Sequence, residues 1–400
     1  MELERGFAYL LDPLPVDDFF SGPWLQQTPL YIPGSPGKFQ GLFDEAAFHR
    51  AIRNVPANLS LHLKAVYRDD GGKSEEIGCI GPESAEEHFA AGATLCATGI
   101  DVADPNLAAL RNALRHDFLS PDPLLFNCYY SPDGHGFATH FDAQSVWILQ
   151  TAGEKLWRYS PAPAYPNPSK NATARMAGTF VTQDGETIPE PDETTFHEAM
   201  LRPGDVLYLP AGTWHRPTAR GSSLALTLTQ PRTGMYSLLT GTLSTKLLGR
   251  REWRGHVPRL TGDMQPVIHE LEQRLAELKA AVGSLTVVDL CNAWYKGSVD
   301  DKPQVLDQPP QIDDTDRLQR NPVSPLLFFE SDNGMNVYFQ GARYTVPLSA
   351  KRFFHVINSG EPVSVREAVA AFDTPPADAQ ELLSDFLQIG LVSVSGRDGA

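Results

Sequence analysis

His140 and Asp142 stand two positions apart in Thr139-His140-Phe141-Asp142, a spacing that can do chemistry. On a strand, residues i and i+2 point to one face, so this imidazole and carboxylate can hold one metal ion together. Alone the pair is a weak signal, because eleven histidines in an acidic chain generate about one such H-x-[DE] triplet by accident. His215 strengthens it. It ends the run from Pro203-Gly204-Asp205 through Val206-Leu207-Tyr208-Leu209 and Pro210-Ala211-Gly212 to Thr213-Trp214-His215. A strand bounded by Pro/Gly turns can return in a barrel to the His140 strand. Two imidazoles and one carboxylate on one side of an ion make a facial triad of the kind that holds non-haem Fe(II). Three adjacent coordination positions stay open, two for a bidentate 2-oxo acid and one for O₂. The bland alternative is three ordinary polar residues at a barrel mouth.

Other candidates carry less. His116 and Asp117 are adjacent, so on a helix their side chains diverge. His135 falls on a turn, where it is solvated or substrate-facing. His197-Glu198 lacks the rest of an H-E-x-x-H helix, and neither a Walker loop nor a G-x-S-x-G elbow occurs. Trp147, Trp157 and Trp214 flank the triad residues, and core packing is their commoner role. Cys79, Cys96, Cys128 and Cys291 are widely spaced with no C-x-x-C pair, which argues against a structural zinc site. They read as reduced thiols in a cytoplasm that would keep iron ferrous. The acidic start, with Glu2 and Glu4, does not read as a signal peptide, and no run of about 20 apolar residues suggests a membrane span.

The elements that must position the triad follow from the pattern. Residues 1–121 read as a mixed α/β region, with a short helix around Asp17–Trp24, a strand at Pro29–Ile32, an alternating strand at Leu59–Leu63 and a helix at Asn106–Phe118. Residues 122–231 change to strands and turns: Leu124–Tyr130, Ser145–Leu149, an Ala152-Gly153-Glu154 hairpin turn, Lys155–Tyr159, Val206–Leu209 and Leu224–Thr229. Many short strands at close spacing predict a sandwich or barrel. Residues 232–300 read as helical. Within 262–283, Ile268, Leu271, Leu275, Leu278 and Val282 make an apolar seam spaced 3, 4, 3 and 4, which serves either its own domain or a homodimer. Residues 301–325 hold five prolines and read as a linker. Residues 326–400 read as a hairpin turning at Asp332-Asn333-Gly334, two short helices and a last strand at Leu391–Val394.

Composition agrees. Gly 32 and Pro 33 in 400 residues exceed the usual share of roughly one residue in eight. Lys+Arg 33 against Asp+Glu 49 gives a net charge of −16, which argues against direct nucleic-acid binding. The same charge could favour a basic polypeptide by electrostatic steering.

With these residues in view, Asn127–Tyr159 and Leu201–Gln230 resemble the JmjC, cupin-type 2-oxoglutarate oxygenases, particularly the ribosomal-oxygenase branch that hydroxylates residues in proteins. The matching pattern is Asn127-x-Tyr129, His140-x-Asp142 and Gln150-x-x-Gly153-x-Lys155-x-Trp157. It continues with Pro203-Gly204-Asp205-x-Leu207-Tyr208-x-Pro210, His215 and Ser223-Leu224-x-Leu226-Thr227. Phe19-Phe20-x-x-x-Trp24 with Pro29-Leu30 extends it towards the start. The resemblance implies an α+β chain around a double-stranded β-helix (jelly-roll, cupin) core, with helical additions and a winged-helix-like C-terminal domain. It implies Fe(II) on His140, Asp142 and His215, with 2-oxoglutarate as cosubstrate and O₂ as co-reactant. Lys155 would pair with the distal carboxylate, while Asn127 and Thr227 would donate hydrogen bonds to the same molecule. Tyr129 receives no role. One departure is Ala225, where family members often carry a histidine.

The implied activity is a 2-oxoglutarate-dependent dioxygenase that hydroxylates a side chain in a protein or peptide, such as a ribosomal protein segment, releasing succinate and CO₂. Rival readings are a non-catalytic cupin-like scaffold, a demethylase and a metal cupin enzyme that needs no 2-oxo acid. Neither the scaffold nor the last enzyme requires a buried cation beside the triad, so Lys155 discriminates against both.

Overall fold

The computed structural model describes residues 2–54, 62–68, 74–118, 124–179, 185, 187–230, 234–257, 259, 262, 264–298, 305–320, 326–339, 342–359 and 361–395. The chain divides into two compact units. One holds residues 1–118 and 122–232, the other 119–121 and 233–400.

The first unit is built on an antiparallel sheet of eleven strands. In chain order these are β1 (Leu30–Ile32), β2 (His62–Arg68), β3 (Ser74–Ile77), β4 (Thr94–Thr98), β5 (Leu125–Ser131) and β6 (His140–Phe141). They continue with β7 (Ser145–Tyr159), β8 (Ala172–Thr173), β9 (His197–Leu201), β10 (Val206–Leu209) and β11 (His215–Gln230). β7 and β11 are long and lie side by side. The first half of β7 also pairs with β10 and its second half with β9, while β11 pairs with β5 and, at its start, with β6. Two long strands that change partners midway wrap the sheet around an interior. This is the sandwich or barrel expected from the strand-and-turn pattern, in the jelly-roll form that the resemblance implies. The N-terminal region extends the same sheet through β4, β2 and β3 on one side and β1 on the other.

Alternation decides what faces inward. On β7, Trp147 and Leu149 enter the main hydrophobic core, whereas Val146 and Ile148 line the barrel interior. Trp147 is fully buried and stacks on Trp24 with ring centroids 5.5 Å apart, next to Phe7 and Phe19. The apolar N-terminal segment thus packs against the barrel's outer face, and core packing is the role of Trp147. The helix expected from Asn106 to Phe118 spans Pro105–Phe118 and buries Leu107, Leu110 and Leu114.

Two expectations need correction. Gly153 does not turn a hairpin, because β7 runs unbroken through it. Gly153 instead sits at φ +64° beside a register shift against β11, and a Cβ there would lie 2.0 Å from the Ser222 carbonyl oxygen. Only glycine fits such a bulge, and the sequence signature of bulge and hairpin is the same. The supposed linker at 301–325 also contains a strand, β12 (Arg317–Arg320). Leu318 is fully buried in it, which a polar, proline-rich stretch hides from a window average. Of the expected Leu59–Leu63 strand, His62 and Leu63 fall in β2, and residues 55–61 lie outside the described set.

In the second unit, β13 (Leu327–Ser331), β14 (Gly334–Phe339) and β15 (Ala342–Val346) form one three-stranded sheet. β12 forms another with β16 (Val363–Ser364) and β17 (Val392–Val394). Helices Lys351–Ile357, Val365–Ala370 and Pro376–Gln388 pack Phe353, Phe354 and Phe386 into a shared core. The helix expected over 262–283 spans Gln265–Gly283, and its seam residues Ile268, Leu271, Leu275 and Val282 are exposed in the single chain. No helix among the described residues is long and apolar enough to cross a membrane.

Candidate metal centre

His215 opens β11 and stands opposite His140 of β6 in the ladder, with the two imidazole centroids 4.2 Å apart. Asp142 follows β6 directly. Gly212 ties the three together: its N–H donates to the Asp142 carbonyl at 2.8 Å, one turn before His215. Its φ of +81° and the Tyr165 carbonyl oxygen 2.0 Å from an added Cβ restrict that position to glycine. One ligand atom from each of His140, Asp142 and His215 lies within 4.8 Å of the others.

Hydrogen bonds aim the donors. His140 Nδ1–H donates to the Ala138 carbonyl at 2.8 Å, and His215 Nδ1–H to the Thr213 carbonyl at 2.9 Å. A carbonyl can only accept, so either ring, when neutral, carries its proton on Nδ1 and presents the Nε2 lone pair. Burial, reinforced by His140, pushes the His215 pKa down to about 4, against the pull of Asp142, so the ring is neutral at ordinary pH. His215 Nε2 and Asp142 Oδ2 are 3.7 Å apart. A neutral ring makes no ion pair, and two acceptors facing each other at that distance suit an intervening cation. The donor set is the two-imidazole, one-carboxylate group suited to Fe(II).

These donors open onto a cavity of about 290 Å³, which Lys155 and Thr227 also line. Lys155 is 1% exposed, and its Nζ donates to Ser131 Oγ at 3.0 Å. No carboxylate among the described residues lies within ion-pair distance of it. Burial lowers its pKa from 10.5 to about 8, with Cys128 and Cys96 nearby. A buried cation without a counter-ion is costly unless a ligand supplies one, and a dicarboxylate does. Gln150 explains its place in the pattern, since its side-chain amide donates to the carbonyls of Ala152 and Gly153, fixing the bulge that precedes Lys155.

The remaining sequence candidates are placed unequally. Thr227 reaches the cavity, whereas Asn127 accepts from the Gly99 N–H at 3.2 Å and donates to Thr229 Oγ1 at 3.3 Å. Tyr129 lines the cavity edge-on to Phe137, and its hydroxyl pKa is raised by burial. Ala225 sits on the cavity wall as well, so the missing histidine leaves room there. Trp157 lines the cavity 5.7 Å from the His215 ring, and Trp214 packs on Phe141. Sequence reasoning missed two supports. Asn171 donates to Asp142 Oδ1 at 2.9 Å, and Glu193 accepts from Thr139 Oγ1 and from Arg158 and Arg216. Both come from the patternless stretch between β7 and β9, so no periodicity or motif marks them.

Comparison with known proteins matches residues 111–237 to a family model described as the JmjC domain. Ribosomal oxygenase 1 of Rattus norvegicus is 29% identical over 231 residues, which are 56% of this chain and 36% of that protein. An uncharacterised protein of Bacillus subtilis (strain 168), YxbC, is 25% identical over 264 residues, covering 63% of this chain and 78% of that one. Among solved structures, YcfD, a ribosomal oxygenase from Escherichia coli in complex with cobalt and 2-oxoglutarate, is 17% identical. Its alignment covers 96% of this chain and 99% of that chain, with a TM-score of 0.48. The matched segment spans about a third of the length of the mammalian ribosomal oxygenases.

Proposed function

We propose that this chain, JmjC-like over residues 111–237, is an Fe(II)- and 2-oxoglutarate-dependent oxygenase that hydroxylates a side chain of a protein or peptide. The observation that carries the reading is Lys155, a buried cation with no carboxylate partner among the described residues, lining the same cavity as three convergent metal donors. Neither a scaffold nor a metal cupin enzyme without a 2-oxo acid has a use for that charge.

His140, Asp142 and His215 would hold the metal on one face. Fe(II) with 2-oxoglutarate and O₂ supplies the oxidant for C–H hydroxylation, with succinate and CO₂ as co-products. Lys155, with Ser131 beside it, would pair with the distal carboxylate, and Thr227 lies within the same cavity to add a hydrogen bond. Asn127 would act on the cosubstrate only by giving up a present partner, so its support is weaker. Val146, Ile148 and Trp157 give the interior apolar walls, which keep water from the reacting carbon. Tyr129 and Phe137 line the same cavity beside the donors.

A ribosomal protein segment is the proposed substrate class, supported by the names of the relatives and by the acidic charge of −16. A reducing cytoplasm is proposed as the compartment, on the scarcity and wide spacing of Cys79, Cys96, Cys128 and Cys291. A homodimer through the 262–283 helix is proposed as well, because Ile268, Leu271 and Leu275 leave an exposed seam at coiled-coil spacing.

The test is succinate release by purified protein supplied with Fe(II), 2-oxoglutarate and peptides from ribosomal proteins, with mass spectrometry for a gain of one oxygen atom. Turnover that disappears in His140→Ala supports the reading. Absence of both coupled and uncoupled turnover by the iron-loaded protein refutes it.

A further inference from the structure

Asp142 has two carboxylate oxygens, and how many of them reach the metal decides how many positions stay open. Oδ2 faces His215 Nε2 at 3.7 Å, on the side of the other donors. Oδ1 accepts from Asn171 Nδ2 at 2.9 Å. The amide of Asn171 cannot be turned the other way, because its Oδ1 accepts from the Ala143 backbone N–H at 2.8 Å. That N–H is an unambiguous donor, so the opposite edge of the amide must present N–H groups to Asp142. The segment that carries Asn171 is itself fastened to the metal-binding strand. β8 pairs with β6 through His140 with Thr173 and Phe141 with Ala172, and the Ala174 N–H donates to the Thr139 carbonyl at 2.9 Å.

We propose that Asn171 is a positioning residue that keeps Asp142 to one metal-binding oxygen by holding the other in a hydrogen bond. The proposal rests on the oxygenase reading above and goes beyond it. Two imidazoles and one carboxylate oxygen leave three of six positions open, enough for a chelating 2-oxo acid and O₂. Were Asp142 to chelate through both oxygens, only two would remain, and cosubstrate and O₂ would compete for them. Asn171 lies 29 positions beyond Asp142, in the segment between β7 and β9 and just before β8. Its effect comes from tertiary contact alone.

The experiment uses the whole 400-residue chain with Co(II) as a spectroscopic stand-in for Fe(II). Co(II) affinity, the cobalt d–d absorption bands and their response to 2-oxoglutarate are measured for the unsubstituted chain, Asn171→Ala and Asn171→Leu. Asn171 is exposed, so the metal-free variants should melt close to the parent. Expected in both variants are shifted d–d bands and a blunted response to 2-oxoglutarate, because the freed Oδ1 can take a metal position that the cosubstrate needs. Variants with parental bands and a parental response to 2-oxoglutarate overturn the proposal. So do variants whose metal-free forms melt far lower, since the residue would then serve the fold rather than the ligand. Failure of the unsubstituted chain to bind Co(II), or of its bands to respond to 2-oxoglutarate, overturns the oxygenase reading and the clamp with it.

Discussion

Replacing Lys155 by Met should stabilise the protein and at the same time disable it. The side chain is fully buried, and burial lowers its pKa from 10.5 to about 8. A change of that size corresponds to roughly 3 kcal/mol of destabilisation of the folded state by the charged form. Because the folded-state pKa lies below the unfolded one, the penalty is fully present below pH 8 and fades as pH rises towards 10.5. At pH 7, Met would remove it while filling a similar volume. The hydrogen bond to Ser131 would be lost, at about 1 kcal/mol, although Ser131 keeps its bond from Thr94 Oγ1. The net gain is about 2 kcal/mol, or roughly 4–8 °C in melting temperature for a unit of this size. The cosubstrate responds oppositely. Removing one partner of a buried ion pair costs about 3–5 kcal/mol, so 2-oxoglutarate should bind at least about 10²-fold more weakly. Thermal melts of the ligand-free protein and calorimetric titration of 2-oxoglutarate into the Mn(II)-loaded form measure the two effects. A Lys155→Met protein that melts lower and binds 2-oxoglutarate normally would refute the reasoning, because the charge would then be serving the fold.

Four further outcomes are expected. His140→Ala and Asp142→Ala should each abolish Mn(II) binding measured by electron paramagnetic resonance, while far-UV circular dichroism stays unchanged. Binding of 2-oxoglutarate should weaken about tenfold between pH 7 and pH 9, since Lys155 loses its proton above about 8 in the free protein. Lys155→Arg should flatten that dependence over the same range, read by the same titration. Gly153→Ala should cost at least about 2 kcal/mol in urea unfolding, from the left-handed backbone and the close Ser222 carbonyl together. The dimer seam is checked by light scattering, where Leu271→Glu with Leu275→Glu should yield a monomer.

Much of the site was legible before any coordinates. His140-x-Asp142 could be read because strand period alone puts both side chains on one face, and the Pro/Gly turns around Val206–Leu209 announced a strand returning with His215. Lys155 was legible only through the resemblance, since a lysine in a strand has no intrinsic reason to be buried. Asn171 and Glu193 were invisible, because they act through hydrogen bonds made by a loop with no period. The Gly153 bulge was mistaken for a turn for a related reason: positive φ reveals glycine but not which strand lies opposite.

The sequence by itself determined the chemistry on offer: two imidazoles, a carboxylate, a lysine and thiols too scattered for zinc. It also determined the alternation that sends Trp147 outward to Trp24 and Ile148 inward to the cavity, because a strand's side-chain period is a local property. Only the tertiary structure decided which of these groups share a site. His140 meets His215 across a ladder that joins residues 75 positions apart, and Lys155 becomes a costly buried charge only once β9 and β11 close around it. Proximity and desolvation belong to the folded chain, and both are needed to turn those residue types into a metal centre.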